Sequence, residues 1–282
     1  MNKNSFLGDF FVQMKDKFIQ LIDIREDTDQ QGTIASIEKY SELNGFNVWI
    51  LLAAAMIASM GLDLNSSAVI IGAMLVSPLM SPILGVGLSF GINDRNLLNI
   101  SLKSLAIAVS VSILTSYFYF SITPLGLLTD ELLARTRPTL IDAGVAFFGG
   151  VAGIVAGSHK DKTNALPGVA IATALMPPLC TVGFGFAIGD MSVWMGAFYL
   201  FFINAVIISA TTFFFVRLLD FPVKERFSVG SKQQIIRNAI LLVLLAIIPS
   251  IFILFSTIKR VKANNNIETF ITKHIDANGR EV

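Results

Sequence analysis

Seven long apolar segments, at 46–62, 66–91, 101–128, 139–158, 166–189, 193–219 and 236–258, restrict this chain more than any other feature. A run of ~20 apolar residues crosses a hydrocarbon core of ~30 Å as a helix, and several such runs in one chain call for lipid on the outside. The composition agrees. Of 282 residues, 54% are hydrophobic and only 15% charged, against roughly a quarter charged in soluble domains. The expected fold class is therefore all-α, a polytopic integral membrane helical bundle. The net charge of +1 gives no reason to expect a nucleic-acid partner.

Two of the segments carry prolines in related settings. Residues 69–79, VIIGAMLVSPL, align without a gap on 169–179, VAIATALMPPL, so that Pro78 pairs with Pro178 and Leu79 with Leu179. After a two-residue gap, Gly85, Gly87 and Gly91 fall on Gly183, Gly185 and Gly189, and Asp94 and Asp190 follow. Each copy sits second in a group of three segments. An odd number of crossings per group turns the second copy upside down, which gives a 3+3 inverted repeat with broken second helices plus a seventh helix. Such repeats, with interrupted helices in corresponding positions, characterise many secondary transporters.

Proline removes an amide donor and clashes with the preceding turn. Ser77-Pro78-Leu79-Met80-Ser81-Pro82 and Met176-Pro177-Pro178-Leu179 are therefore both expected to interrupt their helices. Each interruption frees backbone groups that lipid cannot satisfy, so they must be buried in protein or face a water-filled cavity. Half-helix ends add partial charges. The candidate substrate or ion path consists of Ser77, Pro78, Ser81, Pro82, Pro177, Pro178 and Thr181, with Asn204 and Asp142 added from neighbouring helices. Asn204 sits centrally in the sixth segment, where an amide either links helices or lines a pathway. Asp142 reads as an interfacial charge or as an intramembrane carboxylate for a proton or cation.

Lysine and arginine assign the sides. With a cytoplasmic N-terminus, the inner segments hold fourteen of them through Arg237, and the outer loops before the last helix hold Arg135 and Arg137 alone, a positive-inside pattern. The organisation expected is a cytoplasmic amphipathic region at 1–45, with Leu7, Phe11, Met14, Phe18 and Leu21 at helical spacing, followed by three-helix units at 46–128 and 129–219. A linker with the seventh helix occupies 220–258. A polar tail, 259–282, reads as the start of a truncated outer domain. The stripe Gly149, Gly153 and Gly157 suits close helix approach and a homo-oligomer.

Other features have bland readings beside sharp ones. Arg135 and Arg137 with Asp130 and Glu131 are either a solvated loop or a screen at the entrance. Cys180 is a small apolar filler or a reactive thiol, and His159 is an interfacial histidine in a short charged loop. No HExxH, GxSxG or Walker pattern occurs, so neither catalysis nor a cofactor or metal is expected.

The stretches SSAVIIGAMLVSPLMSPILGVGLSFGINDRNLL, LLARTRPTLIDAGVAFFGGVAG and ALPGVAIATALMPPLCTVGFGFAIGD, across roughly 65–220, resemble a prokaryotic hydrophobic-protein family catalogued as domain of unknown function 389. The resemblance implies a multi-pass protein of the prokaryotic cytoplasmic (inner) membrane and brings no substrate or catalytic residue. Two functional expectations follow. One is a transporter or channel for a small solute or ion, and the other is a membrane anchor or signalling scaffold without transport.

Overall fold

The computed structural model describes residues 24–123, 127–160, 167–224 and Arg237, with backbone only at 167–174. The amphipathic stripe before residue 22, the seventh segment and the polar tail lie outside the described residues. Among those described there are nine helices and no strand. In chain order they are α1 Gln30–Ser41, α2 Gly45–Asp63, α3 Ser67–Val76, α4 Met80–Ile92, α5 Arg95–Ile122, α6 Asp130–Arg135, α7 Leu140–Ser158, α8 Pro167–Ile188 and α9 Met191–Leu218.

Among the described residues, helices α2, α5, α7 and α9 are each long and apolar enough to cross a membrane, and α3 with α4 forms an apolar pair bent by 56°, the geometry of a broken span or a re-entrant loop. The 22 residues of α8 reach ~33 Å at 1.5 Å per residue. These apolar helices fit a multi-pass membrane protein. Their hydrogen bonds sort the loops into two ends. At one end Asp29 N–H donates to Ser158 O, Lys160 N–H to Asp27 O and Lys224 N–H to Ile92 O. At the other, Thr129 Oγ1 donates to Leu62 O and Glu131 N–H to Asn65 Oδ1. Arg25, Arg217 and Lys224 sit at the first end, and Arg135 at the second.

The Pro78 interruption forms as the sequence requires. A residue before proline is pushed out of the helical region, and Ser77 is extended at φ −71° and ψ 127°. Pro82 then falls in the first turn of α4, where a missing N–H leaves no helical bond unmade.

The second expected interruption does not form. Helix α8 runs through Met176, Pro177, Pro178 and Leu179 with both prolines inside it. Two N–H donors are lost there, and the prolyl rings crowd the preceding turn. A full break at this depth would free more backbone groups than those two, with no water to take them. Packing holds the segment straight enough to remain one helix. Leu175, Met176, Leu179, Cys180 and Thr181 have no exposed surface, and α2, α3, α5, α7 and α9 all touch α8.

Apart from Gly189, which takes the left-handed position at φ 71°, the aligned glycines serve contact rather than flexibility. A Cβ on Gly87 would lie 2.6 Å from Thr212 Cβ on α9, and one on Gly183 would lie 2.6 Å from Ser116 Cβ on α5. In the α7 stripe, Gly149, Gly150 and Gly153 are buried, and Gly150 meets Thr211 and Ile208 of α9. The stripe therefore packs within one chain, while Gly157 has no neighbour within 4 Å.

Candidate functional site

A cavity of about 300 Å³ opens between α3, α6, α7, α8 and α9. Its walls begin at Ser67 and Glu131 near one end of the bundle and descend past Ile70, Ile71 and Met74 on one side. Asp142 and Val145 form another wall, and Pro178, Leu200 and Asn204 close it below. The seven residue steps of α3 from Ser67 to Met74 correspond to ~10 Å of depth. Asn204 lies at the midpoint of α9 and is 2% exposed.

The charges at the mouth are held by short, local connections. Helix α6 is stapled to the α2–α3 turn by Thr129 and Asn65, which brings Glu131 over the first turn of α3. Glu131 Oε1 accepts from Ser67 Oγ, and Oε2 accepts from Arg135 Nη2 at 3.3 Å. Asp142 stands at the third position of α7 in a capping box, where its Oδ2 accepts from Thr139 N–H at 2.8 Å and Thr139 Oγ1 at 2.7 Å. That fixes it as a carboxylate at a helix start, close to the loop end, rather than one deep in the membrane.

The nine residues expected along a path are only partly gathered. Pro178, Asn204 and Asp142 line the cavity. Ser77 lies beside it against α8, with its hydroxyl 3.7 Å from Met176 Sδ. Pro78 sits at the break, and Pro82 is buried in the first turn of α4. Ser81 contributes its carbonyl to Ser41 Oγ at 3.0 Å. Thr181 is fully buried and donates to Pro177 O at 2.9 Å, so its hydroxyl serves the helix and does not reach the cavity.

Below the cavity floor the described part of the bundle is closely packed. Leu79, Ile83, Leu84 and Leu88 are buried on α4 and its approach. Ser116 Oγ donates to Cys180 O at 2.7 Å and lies 2.8 Å from Ser59 Oγ, and Cys180 Sγ faces Ala55 O at 3.7 Å. Cys180 is thus a buried filler with a weak S–H contact.

At the opposite end, Lys224 Nζ donates to Asp94 Oδ2 at 2.7 Å and to Glu38 Oε1 at 2.8 Å. One ammonium thereby joins α1, the α4–α5 turn and the segment after α9. Burial works against the ionised Asp94, but the Lys224 hydrogen bond and charge and the N–H groups of Leu97 and Asn96 outweigh it and hold the carboxyl below the usual range. The same contacts push the Lys224 ammonium upward. Spacing gave no sign of this triad, whose members are far apart in sequence, nor of Ser67 as a partner of Glu131. Asp63 is a further buried carboxylate that the sequence reading passed over, accepting from Tyr119 Oη at 2.9 Å and Thr123 Oγ1 at 3.0 Å.

A relative from Methanocaldococcus jannaschii, described as an uncharacterized protein, is 27% identical over 169 residues, 60% of this chain and 52% of its own length. The chain thus spans about half the length of that curated relative. No solved structure matches the chain. Residues 74–210, from the end of α3 through most of α9, match the profile of the family described as Domain of unknown function (DUF389), and the chain is similar to that family through this segment.

Proposed function

We propose that this chain passes a small solute or ion across the membrane as a transporter or channel rather than acting as an enzyme, with the path between the α3–α4 break and the proline turn of α8. The observation that carries the reading is the cavity itself. It descends from the Arg135 end to Pro178 and Asn204 at mid-bundle, where the break at Ser77 lies against Met176. Irregular backbone at membrane depth is tolerated where it lines such a cavity.

We read the two three-helix groups as an inverted repeat, and the following features support that. Helices α2 and α7 have 19 residues each, and α5 and α9 have 28 each. The turns before the two long helices share one design, with Asp94 N–H donating to Ser89 O and Asp190 N–H to Gly185 O. Packing is exchanged between the halves: α5 lies on α8 of the second unit, and α9 on α4 of the first. Sites of inverted-repeat transporters lie at that interface near the midplane. The cations gathered at the Lys224 end favour a cytoplasmic placement of that end and of residues 24–41, in a prokaryotic inner membrane. The form described here is then open outward and sealed inward by packing and by the Lys224–Asp94–Glu38 contact.

Purified protein in proteoliposomes, offered a panel of ions and small metabolites, tests the reading. Flux that falls at least tenfold with Pro78→Ala or Asn204→Ala supports it. A flux indifferent to both, or no flux of any solute, sinks it. Cysteines placed at Ile71 and Val145 should react with an impermeant thiol reagent from the Arg135 side alone, and one at Leu84 should not react.

A further inference from the structure

We propose that the cavity between α3, α6, α7, α8 and α9 binds a small zwitterion with one carboxylate and one ammonium on an aliphatic frame, the chemistry of an amino acid. This names a solute class for the path proposed above and rests on that reading for its transport aspect, though not for binding. The charge census points to it. Three charged side chains line the cavity: Glu131, Arg135 and Asp142. Glu131 is already committed, with Oε1 to Ser67 and Oε2 to Arg135. The Arg135 guanidinium is not fully used. Its Nε–H is buried and has no acceptor among the described residues. A buried charged donor left unmet is costly, and a ligand carboxylate is the acceptor that guanidinium geometry suits best.

Asp142 supplies the opposite half. Both Thr139 donors go to Oδ2, and Oδ1 accepts nothing among the described residues, which leaves an oxygen for an ammonium. With Glu131 and Arg135 neutralising each other, Asp142 gives the cavity a surplus negative charge. That disfavours a simple anion, while the unmet guanidinium N–H gives a simple cation nothing to answer it. Only a ligand with both signs uses both. The rest of the wall is aliphatic, from Ile70, Ile71, Met74, Val145 and Leu200, with the Asn204 amide at the floor. A volume of about 300 Å³ is at the small end of ligand pockets, ~300–1,000 Å³.

The test is calorimetric titration of the full chain in nanodiscs with L-alanine and L-leucine, and with the two halves of leucine, 4-methylpentanoate and 3-methylbutylamine. At least one amino acid should bind tenfold or more tightly than either half. Arg135→Gln should remove that advantage while leaving the amine unchanged, and Asp142→Asn should remove it while leaving the carboxylate unchanged. Ile71→Trp, which fills the wall without touching a charge, should weaken every probe and controls for misfolding of the charge variants. Equal binding of the amine overturns the proposal in favour of a cation site, equal binding of the carboxylate in favour of an anion site, and no binding of either amino acid overturns it outright. Binding without flux sinks the path and leaves the zwitterion site standing; flux of another solute without amino-acid binding does the reverse.

Discussion

The Ser77 hydroxyl lies 3.7 Å from the Met176 sulfur, so the residue before the Pro78 break meets the residue before Pro177-Pro178 from across the bundle. A thioether is a weak acceptor, and the contact is chiefly one of position. It sets an interrupted helix against an uninterrupted one, and the two proline motifs differ in consequence for that reason.

Pro177→Ala restores an N–H donor inside a continuous helix, where proline costs up to ~3 kcal/mol relative to alanine. The variant should be as stable as the parent or more so, by roughly 1–2 kcal/mol once the tight packing is allowed for. Pro78→Ala adds a donor at an extended residue pair and should lower the thermal midpoint. Thermal unfolding in detergent checks both, and a Pro177→Ala variant less stable than Pro78→Ala would contradict the continuous α8.

Gly183→Ala places a methyl 2.6 Å from Ser116 Cβ and 2.7 Å from Tyr117 N, a backbone atom that cannot rotate away. The α5–α8 contact should loosen at a cost of ~1–3 kcal/mol. Gly144→Ala on α7 meets nothing within 4 Å and should instead gain up to ~1 kcal/mol from helix propensity. Comparing the two unfolding midpoints separates packing from propensity.

Lys224→Met should destabilise the Lys224 end by about 1 kcal/mol, a small figure because that side chain is 57% exposed and solvent screens the pair. The pH dependence has two limbs. Asp94 is held below its unfolded value of ~3.9, so its contribution is complete above that pH and disappears as pH falls through the folded value. Lys224 is raised above its unfolded value of ~10.4, so its contribution is complete below that pH and is lost as pH rises through the folded value. Thermal midpoints should therefore fall more steeply below about pH 4 in the parent than in Lys224→Met. Identical acid limbs would rule the contact out as a source of stability.

Asp94 and Asp190 cap the two long helices alike, each accepting from the two backbone N–H groups that follow. Asp94→Ala should nonetheless cost more than Asp190→Ala, because only Asp94 also holds a lysine and only Asp94 is buried. Midpoints of the two single variants decide it, and equal losses would mean that capping is the whole of Asp94's contribution.

Much of the architecture was legible. The apolar runs predict spans at 46–62, 66–91, 101–128, 139–158, 166–189 and 193–219, and helices or a bent pair stand at all six. Length and hydropathy suffice there because lipid leaves helices few alternatives. The internal alignment was harder to place. The aligned glycines put Gly91 opposite Gly189, yet it is Asn93, at φ 57°, that takes the left-handed position held by Gly189 at φ 71°. Asparagine tolerates that region nearly as glycine does, so the Asn93-Asp94 and Gly189-Asp190 pairs carried the better signal.

By itself, the sequence determined the apolar, membrane-suited character of the chain, the approximate places of six of its helical segments and the break at Pro78, each of which follows from local chemistry: apolar length, a lost amide and the restriction on the residue before proline. Only the tertiary structure decided that Pro177 and Pro178 stay inside a helix, that Gly149, Gly150 and Gly153 of α7 are buried within their own chain, and that Asp142 and Asn204 share a cavity with Arg135. Those outcomes depend on what surrounds a residue. A proline's cost is fixed locally, but whether the helix yields to it is settled by the helices packed around α8.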